Sequence, residues 1–407
     1  MRSVLVGVAM LVGCGSDAAP SDAAPSGPPT YYRDVAPVLG VHCVDCHRAG
    51  GAAPFSLVTY ADALDSADAI VAMTASRQMP PWPADSSGAC NTFVGQRWLS
   101  DAEIATLSAW AAAGAPAGDP RDEREIDVPP PATMTTTVVL GSPAPYSVSP
   151  GLDDEYRCFV VDPGLEVDRF ITAFAVQLDR ADVVHHMQLF ASDSDASDAD
   201  ITERDAQDPA SGYSCDSEGT GRDLRYIGVW AAGDTVKRWP DGTGIRLRAR
   251  RRLVVQFHYH NHTSGPIHDR SQVALELTDS VGAEANILGV SMSQLSLAPG
   301  QPNVETSRAR PVRDTVTARA ARLHMHRLGT HARIELIHGA ETRCLLDIPR
   351  WNFGWQLFYT FDEPITLTAG DLVKVTCGYD TTSRTEVVEW GESTDDEMCI
   401  GYLYATP

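Results

Sequence analysis

Apolar and polar positions divide the chain into a short helical stretch and a much longer β-patterned one. From residue 31 to about 118 the spacing is helical. Ala61–Ala75 is rich in Ala and lacks Gly and Pro. Ser100-Asp-Ala-Glu103 reads as a capping box, with Ser100 as N-cap and Glu103 at the third helical position. Ile104, Leu107 and Ala111 then form an apolar stripe, and Gly114 is placed to end the helix. Residues 119–149 are a charged, then Pro-rich linker that cannot hold a helix. Beyond it the pattern is β throughout. Runs such as FITAFAVQL, RLVVQFHYH and DLVKVTCGY alternate or are β-branched, and clusters of Gly, Pro, Asp and Asn separate them. The expected architecture is a small all-α domain (31–118) followed by two all-β antiparallel, jelly-roll-like sandwiches, 150–285 and 286–407.

The ends and the composition add a compartment. Arg2 followed by the short apolar run Val4–Val12 reads as an export signal, residues 1–13, and Leu11-Val12-Gly13-Cys14 has the form of a bacterial lipobox. Cleavage there leaves Cys14 as a lipidated first residue, and residues 14–30 form a flexible tether. The expected location is the bacterial cell envelope, at the outer membrane or facing the periplasm, held by the lipid alone. A net charge of −22 argues against a nucleic-acid partner. Of nine cysteines, Cys14 is assigned to lipidation, and Cys43 and Cys46 belong to the motif below. The six others (Cys90, Cys158, Cys215, Cys344, Cys377 and Cys399) suit disulfides in an exported protein, with the connectivity open.

Two sets of residues carry candidate redox chemistry. Cys43-Val-Asp-Cys46-His47 is a Cys-x-x-Cys-His motif, the arrangement that attaches haem through two thiols and supplies an axial imidazole. Met79, in a loop before Pro80-Pro81, is the leading candidate for the sixth ligand, with Met73, in mid-helix, as the alternative. With the motif early, the Met-Pro late and a closing helix, 31–118 resembles a class I c-type cytochrome. The second set is His185, His186, His258, His324, His326 and Met398. His324 and His326 are two apart and share a strand face. Adjacent His185 and His186 serve one ion only if their strand bends or ends there. Five imidazoles and one thioether suffice for two copper ions, because imidazole suits both oxidation states and a thioether favours the reduced one.

The strings YRCFVV, VVHHMQLF, VVQFHYH, RLHMHRLG, WNFGWQLFY and DDEMCIGYLY are similar to those of the type II copper, ascorbate-dependent monooxygenases, the family that hydroxylates peptidylglycine and dopamine. The resemblance covers roughly 150–407. It implies an electron-transfer copper on His185, His186 and His258. It implies an oxygen-binding copper on His324, His326 and Met398, across an open cleft between two sandwiches. It also implies disulfides Cys158–Cys215 and Cys377–Cys399, and leaves Cys90 and Cys344 without an assigned partner. Tyr156, Gln256, Arg322 and Tyr402 match positions of the substrate cleft or near the coppers. Ile400 stands where the peptidylglycine branch has Asn, so one carboxylate-anchoring hydrogen bond is lost. The implied activity is hydroxylation of an activated C–H bond of a small molecule with O2 and two electrons. Those electrons would come from ascorbate, from the haem or from a redox donor protein.

Overall fold

A computed structural model describes residues 27–51, 53–123, 133–215, 221–231, 235–391 and 393–407. The export signal and Cys14 lie outside these residues. Two pairs of sheets make up most of the chain. In the first, a sheet ordered Val138–Gly141, Gln272–Thr278, Arg169–Gln177, Thr243–Leu247, Ala283–Glu284 takes Lys237–Arg238 as an extra strand. It faces a five-stranded sheet ordered Tyr213–Ser214, Leu152–Val161, Leu253–Asn261, Val184–Ser192, Leu224–Ala231. Phe159, Phe174, Leu189, Val255 and Phe257 fill the space between them. The second pair is Asn286–Ser291, Ile400–Thr406, Val316–His324, Tyr359–Leu367 against Val304–Pro311, Leu372–Tyr379, Gly329–His338, Glu341–Ile348. Its core holds Leu323, Ile334, Leu346, Val375 and Leu403.

The expected all-α N-terminal domain is not what forms. Residues 31–112 supply only short helices, the longest being Asp101–Ala112, and the described chain is mostly β. The Ala61–Ala75 stretch is two helices, Tyr60–Asp65 and Ala67–Ala75, interrupted at Ser66. The Ser100–Glu103 capping box is formed in both directions, and Gly114 takes the left-handed φ of +84° that ends the helix. Between Ala75 and Asp101 there is no helix. Pro80, Pro81 and Pro83 remove donors and forbid a helical path. This irregular segment packs on the second sandwich instead. Ala84 and Phe93 belong to that sandwich's core, and Phe93 bridges to Phe361. Trp82 meets Tyr359 edge-on at 5.1 Å, and Cys90 is bonded to Cys344. The helices keep a small apolar cluster of their own, with Tyr31, Leu39, Leu107 and Trp110.

The expectation of wholly antiparallel, all-β sandwiches also needs correction. Ala283–Glu284 pairs parallel to Thr243–Leu247. The first sandwich also carries a helix, Asp195–Gln207, inside what read as β sequence. That helix has no apolar stripe to announce it; Ile201 is its one large buried side chain. Its signals are local. Ser194 accepts from the Ser197 amide, and Asp195 and Asp198 sit in the first turn, where the helix dipole favours negative charge. Asp198 then accepts from Arg251 and from the Arg252 amide.

Cys158–Cys215 and Cys377–Cys399 are both bonded. Beside the first of these, the buried Arg157 guanidinium forms a two-pronged pair with Asp208, at 2.9 and 2.8 Å, and donates to the carbonyls of Ser211 and Gly212. Those hydrogen bonds from Arg157 hold the Asp208 carboxyl at about 2. A depressed carboxyl stabilises the fold above its unfolded value near 3.8, and that contribution is lost as pH falls through about 2. Asp208→Asn is therefore expected to cost about 2 kcal/mol at pH 7, the order of hydrogen bonds to a charged group. Denaturant unfolding of both proteins against pH checks this: the difference should shrink steadily below pH 4.

Candidate metal and substrate cleft

The two histidine sets reach one cavity by different local devices. The strand Val184–Ser192 pairs with Leu253–Asn261 so that His186 lies opposite His258 but Val184 lies opposite Tyr259. His185 is the extra residue of a bulge, and the bulge turns two adjacent side chains to the same side. The result is a triangle of ring nitrogens. His185 Nδ1 lies 3.1 Å from His186 Nδ1 and 3.2 Å from His258 Nδ1, and the remaining side is 3.2 Å. The triangle's centre is about 1.8 Å from each nitrogen, near the ~2.0–2.1 Å of a metal–imidazole bond. Burial keeps all three rings neutral, with His185 pushed down to about 3, His258 to about 4 and His186 well below its usual value. Neutral imidazoles offering lone pairs to one point are a fit for copper.

Each ring of the second set is anchored through Nδ1. His324 is the last residue of its strand, and His326 follows just beyond it. His324 Nδ1–H donates to Gln356 Oε1, and His326 Nδ1–H donates to the Asp396 carbonyl at 3.1 Å. Both Nε2 atoms are thereby left as lone-pair donors, on rings whose centroids are 5.2 Å apart. Burial lowers the pKa of both rings. Met398 is buried and lines the same cavity as His324 and His326.

Glu397 binds the two halves of this set together. Its carboxylate accepts from the amides of His326 at 2.8 Å, Leu328 at 2.6 Å and Met398 at 3.3 Å. Burial pushes its pKa up to about 7 against the pull of those amides. Tyr379 OH donates to the Met398 carbonyl from behind, next to the Cys377–Cys399 bond.

The cavity, about 490 Å³, is lined by His185 and His186 on one side and by His324, His326 and Met398 on the other. The two sandwiches meet beneath it. Trp239 stacks on Tyr404 at 4.5 Å, and Thr243 Oγ1 lies 2.7 Å from Tyr404 OH. Tyr156, Arg322 and Tyr402 line the cavity. Gln256 does not. It is fully buried behind the wall, with Nε2 3.6 Å from Cys215 Sγ, and it accepts from Gln188 at 3.1 Å. Arg322 donates to Tyr226 OH and to the Gln356 carbonyl and lies over the Tyr402 ring. Among the described residues no carboxylate is paired with it.

Several residues of the site carried no individual signal in the sequence. Phe353 lies between the two sets, stacked on His185 at 5.6 Å and 5.9 Å from His326. Gln356 orients His324. Both sit in the WNFGWQLFY string, whose aromatic content was visible but whose roles were not. Asp154 accepts from His258 Nε2–H, and only the acidic run before Tyr156 hinted at it.

The Cys-x-x-Cys-His motif fits haem attachment in part. Cys43 and Cys46 are unpaired, and burial pushes the Cys43 thiol up to about 12. His47 turns Nδ1 to the Phe55 carbonyl at 3.2 Å, leaving Nε2 free. Met79 lies near the motif only through a neighbour: Arg97, which lines the same groove as Met79, pairs with Asp45 between the two cysteines. That groove, of about 40 Å³, is lined by Met79 with Pro80, Trp82, Trp98 and Arg350.

Residues 289–406 match the model of the copper type II ascorbate-dependent monooxygenase, C-terminal domain. Similar curated proteins include peptidyl-glycine alpha-amidating monooxygenase A of Xenopus laevis, 24% identical, covering 63% of this chain and 27% of that protein. Dopamine beta-hydroxylase of Rattus norvegicus is 24% identical, covering 69% and 48%. DBH-like monooxygenase protein 1 of Gallus gallus is 26% identical, covering 57% and 40%. The chain thus spans roughly a quarter to a half of these relatives' length. A solved structure, the major capsid protein P2 of bacteriophage PM2, matches at 9% identity over 66% of this chain and 96% of that one, with a TM-score of 0.31. That value is too low to carry an argument.

Glu397→Ala strands three buried amides, each costing about 1–3 kcal/mol when unsatisfied. Metal-free protein carrying it is expected to lose at least ~3 kcal/mol in denaturant unfolding, and Glu397→Gln about half as much, since one acceptor oxygen remains.

Proposed function

We propose that this protein is a copper-dependent monooxygenase that hydroxylates an activated C–H bond of a small organic substrate. The overall change is R–H + O2 + 2 e⁻ + 2 H⁺ → R–OH + H2O, with ascorbate as a suitable reductant. The observation that carries it is the pair of neutral, at least half-buried imidazole sets facing each other across one cavity. His185, His186 and His258 would hold one copper through three Nδ1 atoms. His324, His326 and Met398 would hold the other through two Nε2 atoms and a thioether. Bound copper supplies one-electron storage and the activation of O2.

The protein's own part is positioning. Gln356 and the Asp396 carbonyl fix the rings of His324 and His326, and Glu397 fixes the Met398 backbone. Phe190, Leu224, Val229 and Ile400 give the cleft an apolar lining for the substrate body. Arg322 and Tyr226 offer donors to an acceptor group on it. Ile400 in the cleft speaks against a peptidylglycine substrate. The thioether set suits the reduced ion that meets O2, and the all-imidazole set suits passing an electron.

The rival is an electron carrier without a substrate. The 490 Å³ cavity between the two sets disfavours it, because a carrier gains nothing from such a space. Oxygen uptake with ascorbate, over a panel of small amides, amines and phenols, separates the two. Hydroxylated product in step with O2 consumption is expected. Copper that reduces and reoxidises with no product from any panel member would decide for the carrier. Met398→Ile is expected to abolish product while leaving copper on the three-histidine site, read by metal analysis and EPR.

Two further parts of the proposal concern the N-terminal region. Covalent haem on Cys43 and Cys46, with His47 as ligand, would give electrons an entry point; the two thiols left unpaired beside an oriented imidazole favour it. A pyridine haemochrome spectrum of exported protein is expected to show one covalent haem, and its absence would remove the haem from the scheme. Lipidation at Cys14 would tether the protein to a bacterial envelope membrane. No helix among the described residues is long and apolar enough to cross a bilayer.

A further inference from the structure

We infer that Asp154 is a positioning residue with two tasks: it sets the His258 ring for the three-histidine site, and it ties that site to the segment carrying Met398 in the other sandwich. The inference rests on the two-copper reading above.

Asp154 lies on the strand Leu152–Val161, next to Leu253–Asn261. Tyr156 is directly opposite His258. Its ring lies flat on the imidazole, with centroids 4.2 Å apart and planes 4° from parallel. Two residues away, on the same face of the strand, Asp154 Oδ1 accepts from His258 Nε2–H at 2.8 Å. Tyr156 fixes the plane of the ring, and Asp154 fixes its rotation and tautomer. With the proton on Nε2, the Nδ1 lone pair faces His185 and His186. His260 closes the other flank, stacked on His185 at 4.5 Å, with Nε2 3.6 Å from the same Asp154 oxygen.

The second oxygen goes elsewhere. Asp154 Oδ2 accepts from Thr394 Oγ1 at 2.9 Å. Thr394 is buried, lines the cavity, and belongs to the second sandwich. Within the next four residues come the Asp396 carbonyl that orients His326, the Glu397 carboxylate and Met398 itself. One carboxylate therefore spends one oxygen on each copper set. A carboxylate behind a metal-binding imidazole raises its basicity and favours the more oxidised ion. Removing its charge should raise the reduction potential of the three-histidine copper and weaken its binding about 10- to 100-fold.

The test uses the full chain loaded with copper, with affinities from chelator competition at each site, EPR of the oxidised protein and a redox titration. Asp154→Asn is expected to raise the midpoint potential and lower the affinity of the three-histidine site. Thr394→Val is expected to weaken the Met398 site severalfold, with Thr394→Ser restoring it, because only the hydroxyl matters. A merely structural role would lower thermal stability while leaving both affinities and the potential unchanged, and that result overturns the inference. Should Asp154→Asn fail to fold, Thr394→Val and Thr394→Ser decide alone: equal copper binding at the Met398 site in the two variants sinks it. Wild-type protein that binds no copper would instead sink the two-copper reading, before any variant is compared.

Discussion

Three imidazole nitrogens are held within 3.2 Å of one another because one strand carries a residue more than its partner. That bulge is the constraint on which the site depends. Without it His185 would point into the opposite face of the sheet, as alternate strand residues do. With it, three lone pairs are crowded where burial forbids them to take up protons. Such an arrangement is unfavourable by itself and is relieved by a cation. The sheet can impose it because its neighbours leave little room to yield. Leu253–Asn261 is buried along almost its whole length, and the Cys158–Cys215 bond closes the far side.

The two candidate metal-binding sets differ in how they are built. The three-histidine set sits on paired strands, with the His258 ring clamped between Tyr156 and Asp154. A site that passes electrons gains from ligands that do not move. The other set takes His324 from a strand end, His326 from just past it and Met398 from the segment leading into Ile400–Thr406. Its parts are gathered by a single buried carboxylate, Glu397, rather than by a ladder. A few hydrogen bonds, rather than a ladder, set the positions of these three side chains.

Much of this was legible in the sequence, and the limits have physical reasons. The histidines, Met398, the β pattern and the helix caps are local or spaced signals, and a chain displays those openly. The bulge is a property of register, which depends on two strands at once and leaves no mark on either alone. Asp154, Gln356 and Glu397 act through single hydrogen bonds, and an acidic residue or an amide looks the same in sequence whether it faces solvent or a ring nitrogen. The helix Asp195–Gln207 was missed because it buries almost nothing and is held by its cap and by arginines on another segment. The expected helical domain failed for the converse reason. Its helical signals were real, but the segment after Met79 finds its apolar partners, Tyr359 and Phe361, far downstream in the chain on a sandwich.

Cleft width is fixed by contacts that do not involve the candidate ligands' metal-facing atoms. Trp239 on Tyr404, Thr243 against Tyr404, Arg322 on Tyr226 and Asp154 to Thr394 all join one sandwich to the other around the cavity. Aromatic stacking and buried hydrogen bonds hold such a frame whether or not an ion is bound. The separation between the two sets is therefore a property of the folded chain. On the proposed reading, a substrate would meet a gap already open to it, lined by Phe353 and Tyr402 among others. Binding energy that would otherwise go into closing the sandwiches remains available for orienting the C–H bond, which is where a reaction of this kind needs it.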